Sequence, residues 1–370
     1  MSLTLDGTSG VTGNITGNLS GSITFPDNTS QTTAAAGFGF KNRIINGAMV
    51  IDQRNNGAVI NSAGNVYTVD RFLIQGSQAS KFNIGQNLGN VTPPPGFTNY
   101  LGVSSISAYS ITSGDYFIVR QPVEGLNCYD LNWGTANAKT VTLSFYVYSS
   151  QTGIFSGHLT NSTSSRWYPF TYSVPSANTW TYITVTIVGD IAGSWLTNNG
   201  VGIYVGWSLG TGSANQAAAN AWTASTGIGA TGSVNIVSTN GATFYITGVQ
   251  LEKGSTATAF DYRPYGTELQ LCQRYAINFP SKGLYGAVTN GTSGEVFASL
   301  PVTMRAAPTI TVPSGTQSYN VPWIGNVNAT NQFLDTVSTN MIGVAFGGSS
   351  GLTIGQPIVP LYAVLVSAEL

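Results

Sequence analysis

Charge is what this chain of 370 residues has least of: Lys, Arg, Asp and Glu together make up 7 % of it, against roughly 25 % in an ordinary soluble protein. Thirteen basic and fourteen acidic residues leave a formal net charge of −1. Nucleic-acid binding needs clustered Lys and Arg to neutralise phosphates, so the balance argues against DNA or RNA as a partner. Between Ile191 and Leu251 there is no Asp, Glu, Lys or Arg at all. A folded segment of that kind must turn hydroxyls and amides to water, a face suited to neutral polyols.

Metal-binding and catalytic side chains are as scarce. His158 is the only histidine, and Cys128 and Cys272 stand far apart outside any CxxC spacing. A zinc site or disulfide framework is therefore not expected; both thiols are expected to be buried, and neither metal nor cofactor is implied. A serine triad would have to use His158, and no Gly-x-Ser-x-Gly elbow is expected to present the nucleophile. Glycan hydrolysis needs two carboxylates flanking the scissile bond. Asp115, Asp130, Asp190 and Asp335 are the loop candidates, but Asp favours turns on its own account, and nothing nominates a pair. No catalytic residue is assigned and the expectation is a protein without enzymatic activity. No apolar run approaches the roughly 18 residues of a membrane span, and the first residues lack the basic and apolar regions of a signal peptide. Membrane insertion and export by the general route are not expected.

What is abundant is alternation. In the first 25 residues Leu3, Leu5, Val11, Ile15, Leu19, Ile23 and Phe25 interleave with Thr, Asp, Asn and Ser, a period of two that places apolar side chains on one side of an extended chain. Val11, Ile15, Leu19 and Ile23 recur every four residues with glycine between them. One strand cannot bury so narrow a stripe, so an arm over 1–40, wound with identical copies, is expected to make the oligomer. At ~3.3 Å per residue the first 34 residues reach at most about 110 Å.

Strands are expected over Val66–Ile74, Tyr116–Val119, Thr140–Tyr148, Trp180–Val188, Gly202–Trp207, Val234–Val237 and Thr243–Leu251, separated by Gly, Asn and Ser turns. The fold class is all-β: an antiparallel sandwich of jelly-roll type over 41–265, a short helical connector over 266–279 with its helix at Gly266–Ala276, and a smaller, distal β-domain over 280–370.

Several blocks carry a family resemblance. They are Asn42-Arg43-Ile44-Ile45-Asn46-Gly47-Ala48-Met49, Asp52-Gln53-Arg54, Tyr67-Thr68-Val69-Asp70-Arg71-Phe72, Gly248-Val249-Gln250-Leu251-Glu252-Lys253-Gly254, Ala259-Phe260-Asp261-Tyr262-Arg263-Pro264, Met304-Arg305-Ala306-Ala307-Pro308-Thr309-Ile310 and Ala368-Glu369-Leu370. Together they resemble bacteriophage and prophage tail-fibre proteins with a carbohydrate-binding-module-like jelly roll, over less than half the chain. The resemblance implies a homotrimeric virion protein, assembled in the host cytoplasm, whose N-terminus joins other tail or baseplate proteins and whose outer domains meet the host surface. It transfers no ligand residue. The charges in these blocks, Asp52/Arg54, Asp70/Arg71 and Asp261/Arg263, are expected to form structural ion pairs.

Aromatics among Asn, Ser, Thr and Gly are the positive signal, because the apolar face of a sugar stacks on a ring while amides bond its hydroxyls. Trp180 and Trp207 lie in alternating strands and are expected in the core. Trp167, Tyr168, Trp195, Trp222 and Trp323 are the candidate glycan contacts. The reading is a fibre that binds a host-surface glycan; a structural head or neck fibre or connector is the alternative, and a capsular polysaccharide depolymerase a third.

Overall fold

Alternating apolar residues with small or hydroxylated neighbours build two six-stranded antiparallel sheets. The first runs, in spatial order, Trp167–Val174, Gly153–Thr160, Val201–Thr211, Tyr116–Glu124, Leu73–Gly76 and Val66–Tyr67; the second runs Thr181–Ile187, Val141–Ser149, Thr243–Lys253, Leu101–Ser105, Phe82–Gln86 and Ile60–Asn61. The computed structural model describes residues 23–24, 30–31, 41–62, 64–322 and 324–370, without the side chains of the first four or of 333–336. Two compact units result, Met1–Phe40 and Lys41–Leu370. In the first, Ile23–Thr24 pairs antiparallel with Ser30–Gln31. Val11, Ile15, Leu19 and the side chain of Ile23 lie outside the described residues, as does Trp323.

Facing side chains of the two sheets form one core. Val141, Leu143, Phe145 and Val147 come from the second sheet and Ile203, Val205, Trp207 and Leu209 from the first. Trp207 meets Phe145 edge-on at 5.5 Å, an arrangement that adds to area burial. The expected strand Val66–Ile74 is two short strands, because Thr68–Phe72 turns back on itself with Arg71 at φ 72°. Val234–Val237 is not a strand: Ile236–Ser238 closes a 3₁₀ turn whose apolar side chains plug the sandwich end.

Residues 42–51 are clamped into the sandwich by amides. Asn42 accepts from the N–H groups of Ile44 and Leu251 and donates to Val249 O, while Gln121 exchanges two 2.8 Å bonds with the backbone of Ile45. Buried backbone groups need such partners.

The helix spans Tyr265–Gln273 and is shorter than expected; Ala276–Phe279 is a strand, not connector. That strand pairs with Val364–Ser367, which also pairs with Thr309–Thr311, and a seven-stranded sheet completes the second core around Tyr319, Val344, Phe346 and Val366. The junction with the sandwich is apolar at Ile45, Ile51, Cys272, Tyr275 and Leu370 and ionic around it. Glu369 bridges Arg54 at 2.9 Å and also pairs with Arg71, whose guanidinium lies 3.5 Å over the Tyr275 ring; Arg274 holds Glu124 through two bonds of 2.6 and 2.9 Å. Ion pairs are therefore structural, as expected, but Arg71 and Arg54 reach about 300 residues ahead to Glu369. Asp52 instead caps its own turn, and Asp261 accepts from the Asn42 N–H.

Asp70 carries a pH signature. Burial pushes its carboxyl up to about 6, against the pull of Arg54 and hydrogen bonds from Gln53. A folded-state value above the unfolded one means that stability from this group is full below about pH 4 and is lost as pH rises through about 6, worth up to ~3 kcal/mol. Asp70→Asn is expected to flatten that part of the stability profile; thermal melts of both proteins between about pH 4 and pH 7 with the same slope would contradict it.

Candidate functional site

Three loops meet at one end of the sandwich and bring indole rings together. The first, after Tyr116–Glu124, makes two 3₁₀ turns, Gly125–Asn127 and Tyr129–Leu131, and carries Trp133. The second carries Trp195 and the third Trp222. The first two touch through backbone: Gly134 N–H donates to Asp190 O at 2.7 Å, and a Cβ on Gly134 would sit 2.7 Å from Gly193 O. Asp190 is fixed in turn by Arg166, which gives it two 2.7 Å bonds.

Trp133, Trp195 and Trp222 pack mutually edge to face, with centroids 4.8, 5.3 and 5.4 Å apart, and Tyr168 adds a fourth ring 5.2 Å from Trp222. All three indole N–H groups donate to backbone carbonyls, of Lys139, Ala192 and Val188, which fixes the rings. Trp133 is buried, whereas Trp195 and Trp222 are half-buried. Trp133 and Trp195 wall a recess of about 150 Å³, floored by Leu131 and Ile203, rimmed by Asn132, Thr135 and Thr197, and flanked by Tyr129, 65 % exposed. No Asp, Glu, Lys or Arg lines it. Cys128, also in the lining, is an unreactive thiol, since burial pushes it up to about 12. Rigid aromatic walls with a few uncharged polar groups are what orient a small polar ligand.

Of the sequence candidates, Trp195 lines this recess and Trp222 buttresses it. Trp167 and Tyr168 are buried. Trp167 packs on Ile118 and Ile228 beside His158, beneath a segment whose Thr223 exchanges two backbone bonds with it, so no ring face is open. Trp133 and Tyr129, not singled out from sequence, belong to the site. Their only sequence signal is position, in a Tyr-Asp-Leu-Asn-Trp-Gly loop.

A second aromatic group covers the outward face of the second sheet. Tyr148 stacks on Tyr245 at 5.3 Å, Trp180 and Tyr100 join them, and Phe97, Phe260 and Tyr262 continue the row beside Tyr146. The loop between Phe82–Gln86 and Leu101–Ser105 lies over this face: Trp180 Nε1 donates to Thr92 O and Tyr262 to Gly96 O, both at 2.8 Å. Trp180 is thus an outward, half-buried ring and not the core residue expected from alternation, while Trp207 is fully buried as expected.

The acids have structural partners. Asp115 accepts from Ser77, Tyr109 and Thr112, hydrogen bonds that hold its carboxyl far below the usual range; Asp130 pairs with Arg43 and Lys253; the side chain of Asp335 lies outside the described residues. His158 is fully buried, and burial drives it down to about 3, leaving a neutral ring bonded to Ile228 O. Gly347-Gly348-Ser349-Ser350-Gly351 does spell Gly-x-Ser-x-Gly, but it follows a strand into a loop, and Ser349 donates to Asn328 O in the second core, with no imidazole partner.

No protein-family model matches this sequence and no curated protein matches it. Among solved structures it is similar to the enzymatically active domain of bacteriophage CBA120 tailspike protein 4, at 11 % identity and a TM-score of 0.31, over 58 % of this chain and 21 % of that one. The chain thus spans about a fifth of the tailspike domain's length. It is similar also to a family 11 carbohydrate-binding module from Clostridium thermocellum in complex with a β-1,3-1,4-mixed-linked tetrasaccharide (10 % identity, TM-score 0.27, 54 % of this chain, 96 % of that one). A tandem of CBM22 domains from Paenibacillus barcinonensis matches at 9 % identity and a TM-score of 0.23, over 90 % of this chain and 100 % of that one.

Proposed function

We propose that this chain is a homotrimeric phage tail-fibre protein. It joins the virion's tail or baseplate through residues 1–40, is assembled in the host cytoplasm, and binds a neutral host-surface glycan without catalysis. The observation that carries the binding reading is the uncharged recess walled by Trp133 and Trp195, open beside Tyr129 and rimmed by amide and hydroxyl groups. A pyranose stacks on the half-open Trp195 ring while Asn132, Thr135 and Thr197 bond its hydroxyls. The fibre and trimer readings are supported by the alternating arm and the framework blocks 42–49, 67–72 and 248–264. A monomeric mass for the intact chain would contradict the trimer.

Adsorption tests the site. Purified full-length protein is expected to compete with phage for host cells, and Trp195→Ala to lose that competition with trimer mass unchanged. With no charge in the recess, a tenfold rise in salt should shift affinity less than about twofold; a steep salt dependence would contradict stacking and neutral hydrogen bonding. Host polysaccharide should keep its chain length on incubation, and shortening that is lost on changing one Asp would favour the depolymerase reading. One observation favours a structural connector instead: Val188 and Ile191, 59 % and 69 % exposed, flank the same cluster and suit a protein partner. Normal adsorption by Trp195→Ala moves that reading ahead.

A further inference from the structure

A second concavity, of about 450 Å³, opens where the turn after Ile51 faces the helix start, lined by Asp52, Gln53, Asn56, Gln86, Tyr265 and Asn278. Its walls are held by the protein's own bonds. Gln53 gives its backbone N–H and its side-chain amide to Asp70, and the same amide reaches Ala276 O; Asn278 Nδ2 donates to Gln53 O at 2.8 Å and Gln86 Nε2 to Met49 O at 2.6 Å. Gln53 spends both side-chain N–H groups on the wall and Gln86 and Asn278 one each, while all three keep their side-chain carbonyl oxygens. Gln53 and Gln86 are half-buried and line the crevice. Asp52 accepts from the backbone and side-chain N–H groups of Asn55 on one oxygen and from the Gly57 N–H on the other, which retains a lone pair. Tyr265 stands 64 % exposed at the edge.

The crevice therefore offers acceptors on a preorganised wall next to an open aromatic ring. Its complement is a neutral molecule rich in O–H donors with an apolar face. Phosphates and other anions are disfavoured by Asp52 and the surplus of oxygens; a calcium ion also takes oxygen ligands but would meet only one carboxylate here. We propose that this crevice is a second glycan-binding site, separate from the Trp195 recess, with Tyr265 stacking on a sugar ring whose hydroxyls donate to Gln53, Gln86 and Asp52. The proposal deepens the glycan-binding reading and rests on it.

The test is isothermal titration of the full chain with neutral tetrasaccharides of glucose, galactose, mannose and xylose, in EDTA and separately in calcium. Two sites per chain are expected in both buffers. Tyr265→Ala should weaken one by roughly tenfold and Tyr265→Phe should restore it, since the ring and not the hydroxyl does the stacking; Trp195→Ala should remove the other. Tyr265→Ala titrating like wild type while Trp195→Ala loses all binding would overturn the crevice and leave the recess standing. The converse pattern would support the crevice and overturn the recess. Silence toward every sugar would overturn both, and binding seen only in calcium and unaffected by Tyr265→Ala would assign the crevice to a cation and overturn the proposal.

Discussion

Glu369→Ala is expected to lower the unfolding free energy of the Lys41–Leu370 unit by about 3–5 kcal/mol, because removing one partner of a buried ion pair leaves the other charge uncompensated. The Arg71 side chain is 1 % exposed and that of Glu369 6 %. With the carboxylate gone, Arg71 keeps Pro122 O at 2.6 Å and the Tyr275 ring, neither of which neutralises it. Arg54 loses its 2.9 Å bond in the same stroke. Glu369→Gln keeps an acceptor and should cost less. Denaturant midpoints at constant slope give the comparison; a loss under about 1 kcal/mol for the alanine variant would show that the junction tolerates a lone guanidinium.

The second large effect separates the two walls of the recess. Trp133 is 7 % exposed, touches both other indoles and donates to Lys139 O. Trp133→Ala opens a cavity and strands that carbonyl, for about 3–5 kcal/mol of stability. Trp195 is half-buried, so its truncation should cost clearly less stability while removing the stacking surface and at least about tenfold in glycan affinity. Equal destabilisation by both changes, with equal residual binding, would mean that the cluster is only a core.

The β class was legible because inward positions such as Val141, Leu143, Phe145 and Val147 repeat at two residues, the period a sandwich requires. The framework role of the charged blocks was legible too, in kind. Their pairing was not: Arg71 finds Glu369 only when the last strand, Val364–Ser367, pairs with Ala276–Phe279 and brings its end to the sandwich. Trp167 and Tyr168 were candidates only as aromatics in a polar stretch; in the strand Trp167–Val174 they point to opposite faces. The segment through Thr223 and Ile228 covers the outer face, and no local pattern announces that cover. Trp133 was passed over for the converse reason, since its burial comes from Trp195 and Trp222, more than 60 residues away.

The most direct test of the binding account is the position of an oligosaccharide, prepared from host surface polysaccharide, in crystals of the full chain. A pyranose face is expected on Trp195, with Asn132, Thr135 or Thr197 bonded to its hydroxyls. A recess without sugar and with Trp195 covered by another protein chain, under conditions where the oligosaccharide binds elsewhere or not at all, would contradict it.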